Sequence, residues 1–302
     1  MLAFYCDHFV LPLPAGHRFP MAKYQLLRDW IQVNLPSVVL CEPAAATPGQ
    51  LALAHTPSYV AAIESGEVTP EILRAIGFPW SLAMAERARR SVGATIAACR
   101  AALQDGVAAN LAGGTHHAYA AAGQGFCVFN DAAVAGRLMQ AEQKVRRVAV
   151  IDLDVHQGNG TAHILQNDPT IFTLSVHGEN NFPFRKELSD LDYALPDGAA
   201  DEAYLDCVQI ALSELAKRFS PDLVIYLAGA DPHEDDRLGK LKITMTGLAE
   251  RDRLVFDWAQ ARGTPIAVVM AGGYGRNLEN TVQIHAQTIE LAAHRQSAWH
   301  VA

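Results

Sequence analysis

Val148-Ala149-Val150-Ile151-Asp152-Leu153-Asp154-Val155-His156-Gln157-Gly158-Asn159-Gly160 is the stretch on which the fold turns. Four successive apolar residues predict a strand covered on both faces, because a strand open to water on one side alternates apolar with polar. Two aspartates, a histidine and a Gly-Asn-Gly turn follow at once. If extended geometry continues past Ile151, the two-residue period sends Asp152, Asp154 and His156 to one side and Leu153 and Val155 to the other. Two carboxylates and an imidazole at the end of a buried strand carry a desolvation cost that a metal ion commonly relieves. A plainer reading of the same residues has the aspartates capping the next helix and His156 as a satisfied half-buried side chain.

Outward from that strand the unit recurs. Residues 107–111 run into Ala112-Gly113-Gly114-Thr115-His116-His117, and 170–177 form a buried run containing Ser175, Val176 and His177. Residues 223–228 lead to Gly229-Ala230-Asp231-Pro232-His233-Glu234-Asp235-Asp236, and 266–270 to Ala271-Gly272-Gly273-Tyr274-Gly275. Short strands are expected over 2–6 and 38–41. Helices are expected over 21–34, 57–63, 81–103, 161–166, 201–219, 247–262 and at the C-terminus, with Thr56 and Ser81 as N-caps and a further helix N-cap ending the loop Gly123 to Asp131. Buried strand, special loop and helix in alternation predict an α/β protein, a three-layer parallel sheet with helices on both faces. Ligands of such sheets gather beyond the carboxyl ends of the strands. His116-His117, Asp152/Asp154/His156, Ser175, Asp231 and Tyr274 all fall there, on five separate strands.

The chain has 302 residues, half of them apolar, and no linker, low-complexity tract or repeat interrupts the alternation, which predicts one domain over 1–302. A net charge of −8 without a basic stripe argues against nucleic acid as a direct ligand. Five scattered cysteines without a CxxC pair disfavour a disulfide framework and a thiolate zinc site. The N-terminus lacks the order of a signal peptide and no apolar run is long enough to span a bilayer, so a cytoplasmic chain away from membranes is expected.

Asp154, His156 and Asp231 as ligands would leave the open position that a catalytic zinc requires. Such an ion brings the pKa of its water near ~7, which makes a usable nucleophile. Two further histidines would supply a base and an acid, Asp152 or Asn159 could hold their tautomers, and the Tyr274 hydroxyl suits a developing oxyanion. The implied reaction is hydrolysis of an amide. Taken singly, the members admit simpler roles: a His-His pair is often incidental, Asp231 before Pro232 can start a turn, and Tyr274 can be an ordinary turn residue.

Leu111-Ala112-Gly113-Gly114-Thr115-His116-His117, Gly125-Phe126-Cys127-Val128-Phe129-Asn130-Asp131, Asp152 to Gly160, Ala228-Gly229-Ala230-Asp231 and Gly272-Gly273-Tyr274 resemble, in order, the motifs of the zinc-dependent histone deacetylase superfamily, with bacterial and class II or IV character. The resemblance implies the arginase/deacetylase fold, zinc held by Asp154, His156 and Asp231, and His117 as general base and acid with His116 as its electrostatic partner. By the same resemblance Asp152 orients His116, Asn159 supports His117, and Tyr274 polarises the substrate carbonyl. Phe126 and Phe182 would wall an acyl-lysine tunnel, with Gly125 and Leu238 beside them. A structural potassium ion is implied at Asp152, the backbone oxygens of Asp154 and His156, the Ser175 hydroxyl and the Val176 carbonyl.

Asn159 stands where class I enzymes carry aspartate, Phe182-Pro183-Phe184 departs from an aromatic-Pro-Gly pattern, and Leu238 stands where the polyamine-selective relative has an acid. The expected partner is an acyl-lysine protein or peptide, or else a small N-acylated amine such as an acetylpolyamine. A binuclear manganese ureohydrolase would need further paired aspartates, and a non-catalytic acyl-lysine binder would not need Tyr274 together with all three ligands. Arg18, Trp80, Phe184 and Arg185 are expected to shape the entrance. Glu234, Asp235 and Asp236 either hold a cationic substrate or form a solvated loop or helix cap.

Overall fold

The computed structural model describes residues 1–14 and 16–299; Ala15 and the last three positions of the expected 1–302 domain lie outside the described residues. The strands are β1 (Leu2–Phe4), β2 (Val39–Cys41), β3 (Val107–Asn110), β4 (Val148–Asp152), β5 (Ile171–Gly178), β6 (Leu191–Leu195), β7 (Leu223–Leu227) and β8 (Ile266–Val269). They form one sheet in the order β2-β1-β3-β8-β7-β4-β5-β6, with every pairing parallel. The helices are α1 (Ala22–Asn34), α2 (Pro48–Leu51), α3 (Pro57–Ser65), α4 (Pro70–Ile76), α5 (Leu82–Asp105), α6 (Asp131–Ala141), α7 (Asn159–Leu165), α8 (Asp201–Arg218), α9 (Met245–Gln260) and α10 (Leu278–Trp299).

The apolar runs follow from double burial. On β4, Ala149 and Ile151 belong to the buried layer that includes Leu27 and Ile31 of α1, Val208 of α8 and Phe256 of α9, while Val148 and Val150 belong to the opposite layer with Ile96 of α5 and Met139 of α6. β7 and β8 divide the same way: Val224, Tyr226, Ile266 and Val268 face the first layer, Ile225, Leu227, Ala267 and Val269 the second. Each strand residue is therefore removed from water whichever way it points, at roughly 25 cal/mol per Å² of apolar surface. This is the three-layer α/β architecture that the alternation predicts.

The expected helices and strands are present to within a few residues, and their caps form: Thr56, Ser81 and Asn130 accept from Tyr59, Met84 and Ala133 backbone N–H groups. Three further elements, α2, α4 and β6, lie in stretches where no element was expected. β6 is a five-residue edge strand whose first four residues alternate between half-buried and exposed before the buried Leu195, so it lacks the continuous apolar run of the central strands. α7 begins at Asn159, two residues before its expected start, and this puts Asn159 in a buried first turn.

The strand order positions the site. β3, β8, β7, β4 and β5 are consecutive neighbours in the middle of the sheet, so their carboxyl ends open side by side. These are the five strands from which the candidate residues emerge.

Candidate metal centre and active site

Beyond β4, β7 and their loops, Asp154, His156 and Asp231 converge: one ligand atom from each lies within 4.8 Å of the others. Nδ1 of His156 is 3.0 Å from Asp154 Oδ1 and 3.2 Å from Asp231 Oδ2. The remaining carboxylate oxygens are held by backbone. Asp154 Oδ2 accepts from Gly272 N at 2.7 Å, Asp154 Oδ1 from His156 N at 2.9 Å, and Asp231 Oδ1 from Val155 N at 2.9 Å. Asp231 Oδ2 is buried without a hydrogen-bond donor. The approach of the β8 turn needs glycine, because a Cβ on Gly272 would stand 1.9 Å from Asp231 Oδ2.

Two buried carboxylates and an imidazole nitrogen aimed at one point repel unless a cation joins them. Burial and the neighbouring Asp154 push the Asp231 carboxyl above the usual range, and the His156 imidazolium is held up near 10 because both aspartates outweigh its burial. The trio therefore retains a proton that a metal ion would displace. Two oxygens and one nitrogen suit a borderline divalent cation with a free coordination position. The fit is good.

Beside the trio, Nδ1 of His116 donates to Asp152 Oδ2 at 2.7 Å, and Nδ1 of His117 donates to Asn159 Oδ1 at 2.6 Å. The Asn159 amide is oriented by its own donors, which go to Tyr119 Oη and Gln124 Oε1 at 2.9 Å each. Its oxygen must then face His117, which puts the Nε2 lone pair of His117 on the other side, where it accepts from Nε2 of His116 at 3.2 Å. The environments push the two imidazoles apart. Burial, then the charges of His116 and His156, take His117 well below 6.5, whereas Asp152 and Asp154 overcome burial and hold His116 near 9. One ring is a neutral base, the other a cation beside it.

Tyr274 is buried, and burial followed by Asp231 and Asp154 raises its pKa well above 10, so its phenol stays a hydrogen-bond donor. Its backbone is fixed by Asp236 Oδ2, which accepts from Tyr274 N at 2.6 Å, while Asp236 Oδ1 accepts from Leu238 N and Gly239 N. Asp235 accepts from Asn277 N and Asn280 Nδ2 near the start of α10. Of the acidic run, these two carboxylates serve backbone and helix, so they are not a grip for a cationic substrate.

Several supporting residues have no local signature. Asp131 is buried on α6 and accepts from Thr95 Oγ1, Gly114 N, Thr115 N and Thr115 Oγ1, which ties down the loop that carries both histidines. Lys23 on α1 is also buried; its ammonium donates to Ala271 O and Gly273 O and lies 5.6 Å from the Tyr274 ring centre. Burial brings its pKa down to about 8. An acid in a helix N-turn and a lysine on an amphipathic helix are common, so only the contacts reveal them.

A cavity of about 530 Å³ leads to His117, His156 and Tyr274. Phe126, Phe182, Gly125 and Leu238 line it, and the Phe182 ring stands edge-on to His117 at 4.9 Å. Arg18 and Phe184 line its mouth. Trp80 and Arg185 are not among its lining residues: Trp80 Nε1 donates to Ile63 O at 2.9 Å and packs over α3, which makes it an anchor. Of the residues implied for potassium, Asp152 and Ser175 are paired partners on β4 and β5, and Ser175 Oγ is 2.9 Å from His177 Nδ1.

Residues 17–290 match the histone deacetylase domain, and the chain belongs to the histone deacetylase family. It is 46% identical over 285 residues to an uncharacterized protein of Picosynechococcus sp., covering 93% of this chain and 95% of that one. It is 31% identical to histone deacetylase 2 of Arabidopsis thaliana, over 91% of this chain and 73% of the other. The crystal structure of a histone deacetylase homologue from Aquifex aeolicus superposes with a TM-score of 0.83 over 96% of this chain and 83% of that one at 23% identity, which supports the fold.

Proposed function

We propose that the chain is a zinc-dependent amidohydrolase that removes acetyl or longer acyl groups from lysine side chains of proteins or peptides. The observation that carries this reading is the convergence of Asp154, His156 and Asp231 beside the His116/His117 pair, with His117, His156 and Tyr274 lining one cavity. Bound by the trio, a zinc ion would polarise the amide carbonyl and make water a usable nucleophile near neutral pH.

The chain's own residues supply the rest. His117 Nε2 takes the proton of the attacking water and returns it to the leaving amine, with Asn159 holding the tautomer that permits this. His116, paired with Asp152, keeps positive charge next to that base. Tyr274 donates to the oxygen on which negative charge develops, and its elevated pKa keeps the proton in place. Phe126 and Phe182 flank an extended acyl-lysine side chain and exclude water around the amide.

We further propose a potassium ion at Asp152, the backbone oxygens of Asp154 and His156, Ser175 and Val176, a single domain over the chain, and a reducing, cytoplasmic setting, the last supported by five free cysteines. The test of the activity is turnover of acyl-lysine peptides by zinc-loaded protein. Hydrolysis that falls by about 10²-fold or more in Tyr274→Phe with zinc content unchanged is expected. Turnover equal to that of His117→Ala would exclude the reading.

A further inference from the structure

The chain carries a net charge of −8, yet the cavity that leads to the site is lined by Arg18, Arg74 and Lys240 and by no aspartate or glutamate. Resting on the amide-hydrolase reading, we infer that the mouth selects an N-acylated amine bearing negative charge away from the amide, such as a carboxylate, and that Arg18 is the residue that reads it. Two of the three cations are already engaged: Arg74 with Glu71 at 3.1 Å and Lys240 with Asp197 at 3.6 Å, both acids lying outside the lining. Arg18 is exposed and, among the described residues, has no ion-pair partner.

Its position is nevertheless defined. Arg237 Nε donates to the Tyr274 carbonyl at 2.9 Å and Nη2 to the Arg18 carbonyl at 3.4 Å, so one guanidinium fastens the Arg18 loop to the turn that carries Tyr274. On either side of Arg18 the loop is braced: Phe19 N donates to His17 Nδ1, which leaves Nε2–H to donate to the Gly77 carbonyl at 2.9 Å. Gly77 lines the same cavity. These bonds fix the backbone at Arg18, and a cation rooted at the rim of a low-dielectric opening attracts anions and repels cations before any contact forms. Of the acids that could hold a polyamine, Asp235 and Asp236 are engaged with backbone, Glu234 is exposed outside the lining, and Leu238 is apolar. The class assigned is therefore the anionic acylated amine, and the polyamine is the disfavoured one.

The experiment compares three acetylated amines of similar reach: Nα-blocked acetyl-lysine with a free carboxylate, its neutral carboxamide, and cationic acetylputrescine. Titration calorimetry and kcat/KM are measured on zinc-loaded protein at low and high salt, for wild type, Arg18→Glu and Lys217→Glu. Lys217→Glu changes net charge equally on the remote helix α8. Expected is an order anion, neutral, cation, with steps of roughly threefold to fivefold, the range of a solvent-exposed ion pair, shrinking in salt. Arg18→Glu should reverse the order and Lys217→Glu should leave it. Equal or cation-first constants in wild type, binding of none of the three, or an order unmoved by Arg18→Glu would overturn the assignment. Anion-first binding with no turnover would instead remove the hydrolase reading and leave the mouth's preference standing.

Discussion

His117 donates from Nδ1 to the side-chain oxygen of Asn159 across 2.6 Å, and Asn159 is itself pinned by Tyr119 and Gln124. The amide therefore acts as a fixed acceptor in place of a carboxylate. Asn159→Leu should lower kcat about 10-fold to 100-fold, with little change in KM, because the imidazole loses its orientation while the tunnel is untouched. Asn159→Asp keeps an acceptor at the same position, and steady-state kinetics should find it within about tenfold of wild type.

Asp231 Oδ2, buried without a donor and 3.2 Å from His156 Nδ1, is the atom most dependent on a cation. Elemental analysis should find one divalent ion per chain besides any potassium. Removal by a chelator should lower the melting midpoint as well as activity, since an ion at 100 times its Kd stabilises by about 2.7 kcal/mol. In Asp231→Asn the metal affinity should drop by at least about tenfold. A melting midpoint indifferent to chelator would count against the site.

Arg251 is fully buried on α9 and clamps the loops behind the centre: Nη1 donates to Gly229 O at 2.5 Å and Nε to Asp252 Oδ1 at 2.9 Å. Asp252 also accepts from Tyr226 Oη and Thr288 Oγ1. Removing one partner of a buried pair strands the other, so Arg251→Met should cost about 3–5 kcal/mol in urea unfolding. Arg251→Lys keeps the charge but loses the fork, and its cost should be smaller.

His55 is buried and neutral: Nε2 accepts from Asn130 N at 2.9 Å, and Nδ1–H donates to Tyr119 O at 3.0 Å. Burial lowers its pKa from 6.5 to about 4. The unfolded chain takes up a proton below pH 6.5 that the folded chain refuses, so this contribution to stability is intact above 6.5 and declines as pH falls towards 4. The decline should total on the order of 3 kcal/mol for this residue. Unfolding free energies followed across that interval should show a shallower slope in His55→Gln, whatever its absolute stability.

The reach of the amino-acid sequence differs from part to part. Runs such as Val148-Ala149-Val150-Ile151 announce strands buried on both faces, because continuous apolar character has no other cheap explanation in a chain without membrane-length segments. Glycine-rich turns after those runs mark where backbone and ligand-type side chains come close. The trio, the histidine pair and Tyr274 were all legible for that reason. β6 was not, because an edge strand with alternating exposure resembles a loop.

By itself, then, the sequence determined the layered parallel sheet and the chemical types at its strand ends, since both depend on local pattern. Only the tertiary structure decided which groups hold those types in place. Asp131, Asp236, Lys23 and Arg237 act through backbone N–H and carbonyl groups from 16 to 250 positions away, partners that every residue offers alike. Arg18 was expected at the entrance, but its company was not legible, because Arg74 and Lys240 join it only when three distant segments close over the same cavity.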